Sequence, residues 1–207
     1  MIFISHIKKD GNLIILQSVK EHSEGSARYA ANLLEPFGLK NTTYAAALIH
    51  DLGKATLNFS NYITKSFNGE SPAKIIHSYH AVIFLLEKRN SLPVGREYEP
   101  KKLVLELMAC AAGSHHGLFD TNGIYEEDNG FLRRLNTDKK ELCYDEAVKN
   151  FFSDVISEHE FDRLLDESAK EFKAFIPKLK NAADNDKQNM KFLIGMLTRL
   201  IISAVIY

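Results

Sequence analysis

The sequence predicts an all-α fold, a helical bundle preceded by a short N-terminal β-hairpin over about residues 1–18. Three observations carry that prediction. Beyond the first helix start, apolar residues recur at intervals of three and four, the period of a helix with one buried face. Ahead of that point, two β-favouring runs flank an Asp-Gly turn. No internal repeat or low-complexity tract interrupts the 207 residues, and 45% of them are hydrophobic, enough for one core and a single domain over residues 1–207.

In the hairpin, Ile2-Phe3-Ile4-Ser5-His6-Ile7 and Leu13-Ile14-Ile15-Leu16-Gln17 surround Lys8-Lys9-Asp10-Gly11-Asn12, the turn. Ser23 or a neighbour caps the first helix, whose Ala27, Tyr29, Ala30, Leu33 and Leu34 lead to a stop near Pro36 and Gly38. Asn41, Thr42 and Thr43 offer the next cap. Tyr44 to Leu52 is small and apolar on nearly every side, so this helix belongs among others. Gly53 breaks it, and Ala55 to Phe67 restarts as an amphipathic helix, followed by a loop from Asn68 to Pro72. Ile75 to Lys88 reads as a helix with His77 and His80 on one face at i, i+3. Asn90 to Pro100 is a second loop, and Lys101 to Ser114 is a helix that ends at His115-His116. Leu118 to Gly130 reads as a loop bordering the site. Leu132 to Leu135, Cys143 to Phe152, Phe161 to Ile176 and Met190 to Ile206 all have helical spacing.

Composition narrows the function. With 26 basic and 27 acidic residues the net charge is -1, so nucleic-acid binding would have to be local or metal-assisted. Cys110 and Cys143 lie in different helical segments, which argues against a disulfide framework or a zinc ribbon and fits a reducing compartment. Met1 to Lys9 has no signal-peptide layout, and no apolar run reaches the ~20 residues of a spanning helix. A cytoplasmic protein with no membrane partner is the expectation. No Gly-x-x-x-x-Gly-Lys-Ser/Thr phosphate loop occurs, so no ATPase motor is encoded in these residues.

The chemistry concentrates in histidines. His50 and Asp51 are adjacent at the end of an apolar helix, where both side chains can reach one cation in a cleft. His22, His77 and the pair His115-His116 also fall at helix ends beside small residues. Adjacent imidazoles cost desolvation and repel each other when protonated; a cation relieves both costs while holding them neutral. Packing alone explains this set poorly. Lys54, at i+3 from Asp51, steadies the carboxylate or faces a substrate phosphate. His80 divides between supporting the site and ordinary packing. His6 and His159 read as hydrogen-bonded core residues, Cys110 as core, and Arg133-Arg134 and Lys139-Lys140 as solvated faces.

Through His50-Asp51-Leu52-Gly53-Lys54 the chain resembles the HD superfamily of metal-dependent phosphohydrolases. More narrowly, it is similar to the HD nuclease domain of the CRISPR-associated helicase-nuclease of type I CRISPR interference. The matching features are Lys20-Glu21-His22-Ser23, the His-Asp-Leu-Gly-Lys block, Ile76-His77-Ser78, Ala112-Gly113-Ser114-His115-His116-Gly117 and Arg199-Leu200-Ile201-Ile202-Ser203-Ala204. The resemblance spans most of the chain, and the doubled histidine before glycine is its most selective part.

What the resemblance implies is an HD-domain bundle holding two divalent metals bridged by Asp51. His22 and His50 would join Asp51 on one metal, and His77, His115 and His116 would hold the other. Such mixed ligands suit manganese, iron, cobalt or nickel better than magnesium alone. The implied reaction is phosphodiester hydrolysis by two-metal activation of water, on single-stranded DNA, with Asp51 and Lys54 as catalytic residues. The implied partners are a CRISPR helicase, fused beyond Tyr207 or acting in trans, and the CRISPR surveillance complex. The family closes its first metal site with an aspartate late in its last core helix. The corresponding stretch here is Ala204-Val205-Ile206-Tyr207, so that residue is expected past Tyr207. Two alternatives stand beside this reading: an HD phosphohydrolase of nucleotides or cyclic dinucleotides, and an inactive metal-stabilised docking module.

Overall fold

The computed structural model describes residues 2–116 and 136–206. The expected helix from Leu132 to Leu135, the pair Arg133-Arg134 and the loop from Leu118 to Gly130 lie outside the described residues. Two strands open the chain, β1 (Ile4–Asp10) and β2 (Leu13–Ser18), paired antiparallel around Gly11 and Asn12. Gly11 has φ +58°, the left-handed value a two-residue hairpin turn demands at its first position. The pairing shifts register between Ile4 and His6, a bulge at Ser5. Eight α-helices follow among the described residues, so the all-α bundle with an N-terminal hairpin is what the chain forms.

The first helix, α1 (Val19–Leu34), begins earlier than the sequence suggests. Ser18 is its N-cap, and the Ser18 hydroxyl and Glu21 carboxylate satisfy each other's backbone N–H groups in a capping box. Ser23 is instead buried within the helix. A short 3₁₀ turn at Glu35–Phe37 and Gly38 at φ +76° then reverse the chain. The next helix, α2 (Lys40–Ile49), has no side-chain cap of its own. Its free N–H groups are met by Glu171, 130 residues away: the carboxylate accepts from the backbone N–H of Asn41 and Thr42 at 2.9 Å each. It also accepts from Asn41 Nδ2 and Thr42 Oγ1. An anion at this terminus complements the helix dipole as well as its open donors.

After α2, the chain passes Asp51 and a 3₁₀ turn at Leu52–Lys54 before α3 (Leu57–Phe67), capped by Thr56. Residues 70–77 carry no regular structure, and α4 (Ser78–Ser91) starts three residues later than the periodicity predicts. His77 is therefore its N-cap, and His77 and His80 do not share a helical face. The next helix, α5 (Glu99–Ser114), takes Pro100 into its first turn, where a missing N–H costs nothing. The remaining helices are α6 (Tyr144–Asp154), α7 (Glu158–Ala182) and α8 (Lys187–Ile206). Cys143 precedes α6 at φ 52°, and α7 runs past both ends of the predicted segment with Pro177 inside it.

The helices pack around α2 and α5. Ala27, Ala30 and Ala31 of α1 and Ala45, Ala46 and Ala47 of α2 are buried, and these two helices pack extensively on each other. Small side chains let the two backbones approach, and burial of the surrounding Leu, Ile and Phe side chains supplies the driving force, about 1.5–3 kcal/mol for each fully buried one. The last helix departs from one expectation: α8 is long and apolar enough, by length and composition, to cross a membrane, and 28% of its apolar window is buried. Its Leu197, Ile201, Ile202, Ala204 and Val205 nevertheless lie in the core, and the helix packs on α5, α1 and α2. The hairpin is tied down at one side, by Val19 N–H donating to Phe3 O at 2.8 Å and Ile4 N–H to Ser60 Oγ at 3.2 Å.

Candidate metal centre

The centre is built where four chain ends meet: the first turn of α1, the end of α2, the N-cap of α4 and the end of α5. The alanine contact of α1 with α2 brings His22 to the carboxylate that follows α2, and α5, packed along α4, delivers His115 and His116 to His77. Asp51 is 2% exposed and stands in the middle. On one side of its carboxylate, Oδ2 lies 2.9 Å from His22 Nε2, 3.1 Å from His50 Nε2 and 2.7 Å from Lys54 Nζ. On the other side, Oδ1 lies 3.3 Å from both His77 Nε2 and His115 Nε2. His116 does not reach the carboxylate; its Nε2 is 2.7 Å from His77 Nε2. The structure thus gathers His22, His50, Asp51, Lys54, His77, His115 and His116 in one cluster.

Tautomers follow from the backbone. His50 Nδ1 is 2.6 Å from Ala47 O, and His115 Nδ1 is 2.6 Å from Ala112 O. A carbonyl only accepts, so each Nδ1 carries the proton and donates it, and in the neutral rings each Nε2 turns a lone pair toward Asp51. Lone pairs facing a carboxylate at such distances need a proton or a cation between them. Asp51 Oδ1, His115 Nε2 and His77 Nδ1 are buried without any hydrogen-bond partner, a cost that native interiors rarely bear. The donor set fits a divalent cation: ligand atoms of Asp51, His77, His115 and His116 lie within 4.8 Å of one another, as do those of His6, His22 and Asp51.

Electrostatics agrees with the geometry. Burial pushes the Asp51 carboxyl up, but positive charge on His50 and hydrogen bonds from His115, His22 and His50 outweigh burial and hold it well below the usual carboxylate range, so in the metal-free chain ring protons take the place that a cation would fill. Burial lowers His115. Burial and the neighbouring imidazoles of His115 and His77 bring His116 down to about 4. Neutral imidazoles beside an ionised carboxylate are the protonation states that metal ligation requires.

For His80 the structure shows the packing role, one of the two left open, while His159 and His6 depart from expectation. His80 faces away from the cluster: its Nε2 is 2.7 Å from Leu142 O and its Nδ1 is 3.1 Å from His77 O, so it fastens α4 to the segment before α6. His159 is exposed on α7 rather than core. His6, read from sequence as a core residue, is instead an exposed residue whose ring meets the cluster. Its Nε2 is 3.1 Å from Lys54 Nζ, and its ring centroid is 4.7 Å from that of His22. No periodicity pointed there, because only the hairpin's docking brings β1 to the end of α2. Gly53 also proves to be more than a helix break. A Cβ there would lie 2.3 Å from His77 O and from His80 Nδ1.

A family model described as HD domain matches residues 19–147, more than half of the chain. No match was found among curated proteins or among solved structures.

Proposed function

Because the chain belongs to the HD domain family, whose members are generally metal-dependent hydrolases that bind divalent metals, we propose that it is a nuclease that cuts single-stranded DNA during CRISPR interference. The observation that carries the metal chemistry is the convergence of imidazole lone pairs on both oxygens of the buried Asp51 carboxylate. His22 and His50 would hold a cation at Oδ2, and His77, His115 and His116 one on the side of Oδ1. Manganese, iron, cobalt and nickel suit these donors best, with magnesium a weaker candidate. When bound, such cations supply Lewis acidity that lowers the pKa of water and offsets charge on the attacking and leaving oxygens at phosphorus.

The protein's own groups do the rest. Asp51 stays ionised and offers one oxygen to each side. The backbone carbonyls of Ala47 and Ala112 fix the His50 and His115 rings with Nε2 forward. Lys54, held 2.7 Å from Asp51 Oδ2, steadies that carboxylate and supplies a positive charge for a phosphate oxygen. His116 is exposed, so the cluster has a solvent-facing rim through which a polymer can approach. The resemblance in His115-His116 before Gly117 supports DNA over a nucleotide, and a CRISPR helicase and the surveillance complex as partners in the cytoplasm.

The test is cleavage of circular single-stranded DNA by the 207-residue chain with Mn²⁺, Co²⁺, Ni²⁺ or Mg²⁺, beside a chelator control. Metal-dependent linearisation is expected. Intact circles, together with hydrolysis of nucleotides or cyclic dinucleotides, would replace the nuclease by a nucleotide phosphohydrolase; no hydrolysis of either would leave a docking module.

A further inference from the structure

We propose that His6, on the N-terminal hairpin, is itself a metal ligand, forming with His22 and Asp51 a cation site on the Oδ2 side of the carboxylate. This inference rests on the metal-centre reading above. In a regular strand, consecutive side chains point to opposite faces, so Ser5 and His6 could not both face the bundle. The bulge at Ser5 removes that restriction. Bulges re-aim side chains in this way and are frequent beside active sites. Ser5 Oγ and His6 Nε2 both reach Lys54 Nζ, at 3.3 and 3.1 Å.

What they surround is already a cation. The Lys54 ammonium lies 2.7 Å from Asp51 Oδ2 and 3.1 Å from His6 Nε2, both of them acceptors towards it. Positive charge is therefore favoured beside these acceptors. A ring nitrogen of His6, one of His22 and an oxygen of Asp51 lie within 4.8 Å of one another, a span that one ion can bridge. With His6 included, two groups share the one carboxylate: His6 and His22 with Asp51, and His77, His115 and His116 with Asp51. An ion bound to His6 and to Asp51 would also pin the hairpin to the bundle. Metal loading then becomes a clamp on residues 2–18.

The experiment is a Co²⁺ titration of the metal-free 207-residue chain, followed by calorimetry and visible absorption, with bound metal counted by mass spectrometry. Wild type is compared with His6→Ala, His6→Asp, His6→Gln and His116→Ala, all checked for folding by circular dichroism. Two classes of site are expected in wild type. His6→Ala should weaken one class at least tenfold and leave the other unchanged, and His116→Ala should do the converse. His6→Asp, which restores a ligand atom, should recover binding. His6→Gln, which can still accept from Lys54 but ligates poorly, should not. Wild-type binding in His6→Ala, beside loss of one class in His116→Ala, overturns the role of His6 and leaves the metal centre standing. Full recovery by His6→Gln also overturns it, since His6 would then act through Lys54. No Co²⁺ bound by wild type would sink both readings together.

Discussion

At the scale of single residues, the cluster makes each side chain answerable to a separate measurement. His50→Ala, Asp51→Ala and His116→Ala should each abolish metal-dependent cleavage of single-stranded DNA while keeping the helical circular-dichroism spectrum. Wild-type rates in all three would remove the site assignment. Lys54→Ala should lower the rate with metal content near normal. Gly53→Ala acts by volume: its Cβ would overlap His77 O and His80 Nδ1. Overpacking of this kind costs about 1–3 kcal/mol, to be read as a lower melting temperature. Protonation gives a further expectation. His80 and His115 are lowered by burial, and His6 and His116 fall from 6.5 to about 4. The unfolded chain therefore takes up protons below about pH 6.5 that the folded chain refuses, and stability falls as pH drops toward 4. Asp51 works in the same sense, since its depressed pKa adds stability that is present above 3.8 and lost as pH falls through its folded value. Thermal melts of the metal-free protein should show this monotonic decline, and a flat profile would contradict it. Asp51, His50 and the His115-His116 pair were legible in the sequence because adjacency marks them. His80 was not, because its partner Leu142 lies 62 residues away.

At the scale of elements, helical periodicity located the helices of the bundle, but it did not locate their ends. The Ser18-x-x-Glu21 box is written in the sequence, whereas Ser23 offers a hydroxyl with Ser26 rather than Glu three residues on, and the structure starts the helix at the box. The start of α4 was misplaced because Ile75 and Ile76 fit a helical period while their backbone is irregular. The cap of α2 lay beyond any local rule, since the carboxylate that satisfies Asn41 and Thr42 belongs to α7. Glu171→Ala should leave those N–H groups to water and loosen the helix that carries His50 and Asp51. Hydrogen bonds to a charged group contribute about 1.5–3 kcal/mol each, and solvent reaching the vacated site offsets most of the loss. A total destabilisation of about 1–3 kcal/mol is expected in denaturant unfolding, with a weaker metal affinity accompanying it. An unchanged midpoint would show that α2 holds its own end.

At the scale of the molecule, the candidate ligands come from positions 6 to 116, and no two neighbouring helices hold all of them. The sequence pointed to a candidate metal cluster because histidines at helix ends beside small residues are hard to reconcile with packing alone, and the structure brings those residues together. The sequence did not reveal that β1 would stand against Lys54, because hairpin docking depends on the long-range bond from Ile4 to Ser60 and on the bulge. The assembled centre predicts a linkage. An ion that binds the folded chain and not the unfolded one stabilises it by about 2.7 kcal/mol at a hundredfold excess over its dissociation constant. The melting temperature should therefore rise with added Mn²⁺ or Co²⁺ and return with chelator, and Asp51→Ala should abolish the rise.

The bond from Glu171 to the start of α2 also bears on the order of assembly during folding. Helix α2 leads directly into His50 and Asp51, but its N-terminus is completed only when a segment 130 residues downstream has arrived. Closing so long a loop is slow compared with forming local turns. During synthesis on the ribosome, His50 and Asp51 emerge early and wait, so the nascent chain passes through most of its length without a finished centre. The capping of α2 thus comes with the docking of α7, and a chain cut short before Glu171 would carry every imidazole of the cluster without the carboxylate that caps this helix.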